Sequence, residues 1–90
     1  MEQVVLTEKE KKNGKEILAM LYNTHPILIR SKIDEMDVEK AKRWWRLLEP
    51  RRPFVASMAS RRKRDMVHID VLKMMQLIQK KAEGGNVDER

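Results

Sequence analysis

The three prolines of this 90-residue chain limit which segments can form continuous helices. A proline disfavours the α conformation in the residue before it, so Pro26 and Pro50 each indicate the end of a helical segment. Upstream of Pro26, the apolar residues Ile17, Leu18 and Leu21 recur at the spacing of one helix face. The sequence therefore predicts a mainly helical chain that is divided into short segments.

Basic residues are concentrated in one continuous stretch, residues 40–64. The stretch holds ten basic residues against one acid, Glu49, and so nets +9, whereas the whole chain nets +6 and the remaining residues net −3. A directed positive field of this kind is typical of proteins that bind a polyanion, above all nucleic acid. The candidate contacts are Lys40, Lys42, Arg43, Arg46, Arg51, Arg52, Arg61, Arg62, Lys63 and Arg64.

The residue types that support chemistry are scarce. The chain has no cysteine, which excludes disulfides, cysteine-ligated zinc and thiol catalysis. Its two histidines, His25 and His68, lack metal-ligand spacing. We expect His25 to be a turn residue and His68 to lie on the surface of a strand. No glycine-rich phosphate loop or nucleophile motif occurs, so we expect no enzyme, no metal and no cofactor. The apolar runs are far shorter than the ~20 residues of a membrane span, and we expect a soluble, intracellular protein.

The length predicts a single domain, residues 7–83, between flexible segments 1–6 and 84–90. Thr7 and Glu10 form a Thr-x-x-Glu capping box that predicts a first helix ending near Tyr22. The residues "PILI" indicate a short extended segment. Ser31 then resembles the cap of a short second helix that ends near Met36.

A third helix is predicted from Asp37, a good N-cap, to Glu49. One face carries Val38, Ala41, Trp45 and Leu48, and the opposite face carries Glu39, Lys42, Arg43 and Arg46. We expect Trp45 to anchor the core. Trp44 lies on the border, as a rim residue or a partner contact, and Leu47 points outward.

Residues 53–69 allow two interpretations. "PFVASM" and "MVHID" alternate with a period near two and flank "ASRRKRD", which predicts a β-hairpin with a basic tip at residues 61–64. Alternatively, a helix starts at Pro53 and continues through the basic run, and a separate helix follows. The first interpretation gives a mainly α fold with a small hairpin, and the second an all-α small bundle.

The last helix is expected to start at Asp70 and to end at Gly84-Gly85, and it has a wide apolar stripe. The stripe either closes the core or pairs with a second copy, as a homodimer. The candidate partner-binding residues are Trp44, Leu47, Leu72, Met75 and Leu77.

The order of elements over residues 14–73, from "GKEILAMLYN" through "DVEKAKRWWRLLEP" to "RDMVHIDVLK", resembles the winged-helix transcription regulators. The resemblance implies that the third helix lies in the major groove of DNA, that residues 61–64 form the tip of a wing, and that Arg51 and Arg52 clamp the backbone. We therefore expect a DNA-binding transcription regulator of the nucleoid or, in a eukaryote, the nucleus. The alternative is an interaction module that docks on a polymerase or another host nucleic-acid complex.

Overall fold

Five α-helices make up most of residues 6–84, the part of the chain that the computed structural model describes. They are α1 (Glu8–Asn23), α2 (Pro26–Glu35), α3 (Val38–Leu48), α4 (Arg52–Arg61) and α5 (Met66–Ala82), with a 3₁₀ turn, Glu49–Arg51, between α3 and α4. The predicted terminal segments 1–6 and 84–90 lie outside the described residues, apart from Leu6 and Gly84.

The β-hairpin wing predicted for residues 53–69 is wrong, because residues 6–84 contain no strand. Pro53 lies in the first turn of α4, where its fixed φ suits a helix and its missing N–H is not needed. Asp65, rather than Asp70, caps α5 by accepting a hydrogen bond from a backbone N–H of the first turn (3.2 Å). The winged helix-turn-helix class is therefore incorrect, and the alternative, an all-α bundle, is confirmed.

The second helix begins earlier than expected and includes the segment interpreted as extended. Pro26 opens α2, and His25 is its N-cap, because the ring Nδ1 accepts a hydrogen bond from the Ile27 N–H (3.2 Å). Ser31, the predicted cap, lies inside the helix. α2 packs against α5 and makes few contacts with α3, so α2 and α3 do not form a helix-turn-helix pair.

The predicted starts of α1 and α3 are confirmed. The Thr7 hydroxyl accepts a hydrogen bond from the Glu10 N–H (3.1 Å), and the Glu10 carboxylate accepts one from the Thr7 N–H (3.0 Å). The Asp37 carboxylate accepts a hydrogen bond from the Lys40 N–H (2.8 Å). α3 ends at Leu48, two residues before Pro50, close to the predicted boundary.

The core is built around α5, which packs against each of the other four helices. Its apolar stripe is largely used within the chain, since Val71, Met75 and Ile78 are fully buried. The other helices contribute the fully buried side chains Leu21, Ile29, Leu48 and Val55. Of the two interpretations of the stripe, closure of the core is therefore the one that the structure supports.

Candidate nucleic-acid interface

The basic face of α3 lies on the surface, as its helical spacing predicts. Ala41 and Leu48 are fully buried, whereas Lys42, Arg43 and Arg46 are exposed on the opposite side. This orientation follows from the sequence, because a strongly amphipathic helix buries its apolar stripe and leaves its charged face in water.

Three basic side chains of α3 already have partners within the protein. The Arg46 guanidinium forms an ion pair with the Glu10 carboxylate of α1. The Lys42 ammonium lies 3.8 Å from the Glu39 carboxylate, and the Lys40 ammonium lies 5.6 Å from the centre of the Trp44 ring. The two carboxylates offset part of the positive charge on α3, whereas the Trp44 ring holds Lys40 without removing its charge.

Arg51 has a structural role in addition to its charge. The Arg51 side chain is half-buried and donates a hydrogen bond from Nη2 to the Lys11 carbonyl of α1 (3.0 Å). It thus joins the 3₁₀ turn to the N-terminal half of α1, and only its remaining donors can reach a ligand.

The densest positive cluster is at the corner between α4 and α5. We call residues 61–64 the basic corner; its four side chains are exposed, and α4 ends at Arg61. Within residues 6–84, eight of the ten basic candidates have no carboxylate at ion-pair distance. Lys40 and Arg51 contact the Trp44 ring and the Lys11 carbonyl instead, which leaves six side chains: Arg43, Arg52, Arg61, Arg62, Lys63 and Arg64. These six are the side chains best placed to bind an external anion.

The adjacent tryptophans point into different clefts on either side of α3. Trp44 lines a cleft of about 440 Å³ toward α1 with Ile17 and Met20. Trp45 lines a second cleft with Arg52 and Gln79. Both rings are half-buried and pack against the core, so Trp45 is less buried than a core anchor was expected to be, and Trp44 is a rim residue.

The five candidate partner residues do not form one surface. Trp44 and Leu47 line the same α1–α3 cleft, whereas Leu77 lies on the groove between α2 and α5. Leu72 is half-buried against the core, and Met75 is fully buried within the chain, where a partner cannot reach it. Dimerisation through α5 stays a prediction that rests on Leu72 and Leu77.

One polar contact of the interior was not anticipated. His68 is buried rather than on a strand surface, and the Tyr22 hydroxyl lies 2.8 Å from its Nδ1. The His68 Nε2 lies 3.8 Å from the carboxylate of Asp65, the N-cap residue of α5. Burial, and secondarily the Asp65 charge, raises the pKa of Tyr22. The helical period of "MVHIDVLKMM" could have indicated that His68 faces inward with Val71 and Met75.

Other classes of site find no support in the described part of the chain. Among residues 6–84, no three histidine, aspartate or glutamate side chains are grouped as metal ligands would be. Over the same residues, each helix is too short or too polar to cross a membrane.

Comparison of the chain with protein-family models, with curated proteins and with solved structures finds no match in any of the three. The functional interpretation therefore rests on the residues and their geometry alone.

Proposed function

We propose that the protein binds nucleic acid, foremost duplex DNA, through the basic residues of segment 40–64. The observation that carries this proposal is the set of six exposed basic side chains, Arg43, Arg52 and residues 61–64, that have neither a carboxylate at ion-pair distance nor the side-chain contacts of Lys40 and Arg51 within residues 6–84. Cations left without internal partners repel one another, and a phosphate backbone supplies the missing negative charge.

The arrangement of these side chains supports contact with phosphates more strongly than reading of bases. The basic corner lies at the last residue of α4 and in the turn that follows, not along a helix face or a ribbon that fits a groove, so its arginines and lysine would bind the backbone. Arg43, on the exposed face of α3, is the remaining candidate for a base contact, since arginine can donate two hydrogen bonds to guanine.

On this proposal the protein acts by occupying DNA, as a small transcription regulator does, and no chemical step is required. Its place of work is then the nucleoid or, in a eukaryotic cell, the nucleus. Arg46 and Lys42 contribute less than Arg43 to binding, because each must first give up a carboxylate partner.

The proposal is tested by fluorescence anisotropy of a labelled mixed-sequence duplex across a salt series. If the six unpartnered cations meet phosphates, log K falls with log salt at a slope of about −5. Replacing the four residues of the basic corner by alanine leaves two contacts, and the slope becomes about −2.

A control variant removes the same charge elsewhere, by changing the exposed lysines Lys9, Lys12, Lys15 and Lys32 to alanine. We expect this variant to keep a slope near that of the unchanged protein. Equal weakening by both variants would mean that net charge alone drives binding. Absence of binding at low salt would contradict the proposal.

A second candidate function is a protein-interaction module that docks on a polymerase or another host nucleic-acid complex. The observation that favours it is the cleft between α1 and α3, where Trp44 and Leu47 lie partly exposed beside Met20. Tryptophan and methionine are enriched in protein interfaces. Capture of a specific protein that survives nuclease treatment, and is lost in Trp44→Ala, would support this candidate.

A further inference from the structure

The N-terminal turn of α2 carries apolar side chains that lie outside the hydrophobic core. Ile29 and Ile33 are buried, whereas Ile27 and Leu28 remain 66% and 62% exposed. Four consecutive residues of "PILI" cover more than one face of a helix, so only part of the run can turn inward. Exposed apolar side chains that lie next to each other are characteristic of interaction sites.

A groove with a volume of about 380 Å³ lies between α2 and α5, and Ile27 follows its lining residue Pro26 on α2. Pro26 and Arg30 line it from α2, and Asp70, Lys73 and Leu77 line it from α5. Met74, which is buried, also contributes to the lining and gives the groove an apolar floor.

The α5 wall of the groove extends toward the basic corner. Met66, Asp70, Lys73 and Leu77 follow one another at intervals of four, three and four residues and so share one face of α5. Met66 is 53% exposed and lies one turn beyond Asp70. From Met66 to Leu77 this face is about 16 Å long, which matches about three turns of an α-helix.

The two walls are held together at the far end of the groove. The Lys81 ammonium of α5 donates hydrogen bonds to the carbonyl oxygens of Ile33 (3.0 Å) and Asp34 (2.8 Å), at the C-terminus of α2. A groove between two joined helices is pre-formed, and a ligand that enters it does not have to order its walls.

The charges around the groove identify the chemistry of its occupant. Arg30 and Lys73 outnumber Asp70 on the lining, and the basic corner immediately precedes Asp65 and Met66, at the N-terminal end of the α5 face. We propose that the α2–α5 groove binds an amphipathic helix of a partner protein, with an apolar face that covers Ile27 and Leu77 and with acidic flanks that meet Arg30 and Lys73.

A second copy of this chain fits the groove less well than an acidic helix. A symmetric contact centred on the groove would bring Arg30 and Lys73 of one copy close to the same residues of the other, and like charges at an interface are unfavourable. The inference does not require nucleic-acid binding: Ile27, Arg30, Lys73 and Leu77 lie outside the proposed DNA contacts, and only the basic corner is common to both proposals.

The probe is a labelled helical peptide of about four turns, with leucines on one face and glutamates on the flanks. A scrambled peptide of the same composition and charge is its control. We expect the amphipathic peptide to bind and the scrambled peptide to bind at least about tenfold more weakly, by anisotropy. Amide chemical shifts should change along α2 and α5, and not along α3.

Two variants locate the site. Ile27→Asp should weaken peptide binding by about tenfold or more, whereas Phe54→Asp, which changes an equally exposed apolar residue of α4, should leave it unchanged. The double variant Arg30→Glu with Lys73→Glu should lose the glutamate-flanked peptide and gain affinity for a lysine-flanked one. Duplex affinity should stay the same in Ile27→Asp, which separates this test from that of the proposed function.

Several results would overturn the inference. One is absence of peptide binding at up to about 1 mM, the weakest affinity class of interest. Others are equal binding of the scrambled peptide and equal losses in Ile27→Asp and Phe54→Asp. An Ile27-dependent dimer in sedimentation equilibrium would assign the face to a second copy. Ile27-dependent binding to phosphatidylserine vesicles without peptide binding would assign it to a membrane surface.

Discussion

Gly14 determines how closely α1 can approach α3. It is buried in the middle of a helix, where glycine normally reduces stability relative to alanine by about 0.5–1 kcal/mol. A methyl group at this position would lie 2.8 Å from the Leu47 carbonyl oxygen, which belongs to the backbone of α3 and cannot rotate away. The Asn13-Gly14 pair, which looks like a weak point of the first helix in the sequence, is a packing requirement.

We therefore expect Gly14→Ala to lower the free energy of unfolding by about 1–2 kcal/mol, because the cost of overpacking exceeds the gain in helix propensity. Urea unfolding followed by circular dichroism measures this difference. Lys15→Ala, at the neighbouring exposed position, should have little effect. A Gly14→Ala protein more stable than the unchanged chain would show that α1 and α3 are not in close contact.

Glu10 joins the capping box of α1 to the basic face of α3. The hydrogen bond from the Thr7 N–H, and then the bond from Arg46, lower the pKa of the Glu10 carboxyl. Since the pKa is lower in the folded state than in the unfolded state, the carboxylate stabilises the fold above the unfolded pKa. This stabilisation is lost as the pH falls through the folded pKa.

The unfolding midpoint should therefore fall between about pH 6 and pH 3, and Glu10→Gln should make this part of the pH profile flatter. Thermal unfolding at a series of pH values measures it. Glu8→Gln, on the same helix but with its carboxylate 4.0 Å from Lys11 and more exposed, should keep the decline. An unchanged profile in Glu10→Gln would contradict a role for the carboxylate in stability at acid pH.

At the scale of single elements, α4 is the helix whose identity the sequence leaves most ambiguous, and Ser57 can test it. Ser57 is exposed in the interior of α4. Alanine has a higher helix propensity than threonine by about 0.6 kcal/mol, whereas threonine is preferred in strands. Ser57→Ala should therefore be more stable than Ser57→Thr in denaturant unfolding. The reverse order is the one that a hairpin would give.

The starts of α1 and α3, which combine a typical side-chain cap with a clear apolar face, were predictable from the sequence. Thr7 with Glu10, and Asp37, place the starts of α1 and α3 correctly because each polar side chain accepts a backbone N–H that the helix leaves unpaired. The exposure of Lys42, Arg43 and Arg46 followed from the same helical spacing. Most of the charged part of the candidate site was therefore identified without a structure.

The errors occurred where local patterns fit two structures equally well. Pro26 was interpreted as the start of an extended piece, although proline is also favoured at the first position of a helix, which is its place in α2. In α4 the buried residues Val55 and Ala59 are small and give a weak helical signal. The α2–α5 groove depends on which helices pack together, and no local pattern contains that information.

At the scale of the whole molecule, positive charge is concentrated in one continuous segment, and its densest cluster lies where α4 ends and α5 begins. Residues 40–64 net +9, whereas the rest of the chain nets −3. The basic corner spans the C-terminus of α4, which carries partial negative charge, and the approach to the N-terminus of α5, which carries partial positive charge. The same charge is thus favourable at Arg61 and Arg62 and unfavourable at Lys63 and Arg64.

Two variants with equal changes in charge should therefore differ in the sign of their effect on stability. At low salt we expect Lys63→Ser with Arg64→Ser to raise the free energy of unfolding by about 0.5 kcal/mol, and Arg61→Ser with Arg62→Ser to lower it by a similar amount. Salt near 1 M should reduce both effects, because it screens exposed charges within a few ångströms. Chemical unfolding of both variants and of the unchanged protein, at low salt and near 1 M salt, measures these changes in the free energy of unfolding.

Both double variants should weaken duplex binding to the same extent, since phosphate contacts depend on the charge and not on the helix end that bears it. Lys63 and Arg64 would then stabilise the complex while they destabilise the free protein, as is common for residues kept for binding. If Lys63→Ser with Arg64→Ser gains stability and keeps full duplex affinity, these two residues do not contribute to duplex binding. The duplex contacts would then have to come from Arg61, Arg62, Arg52 and α3.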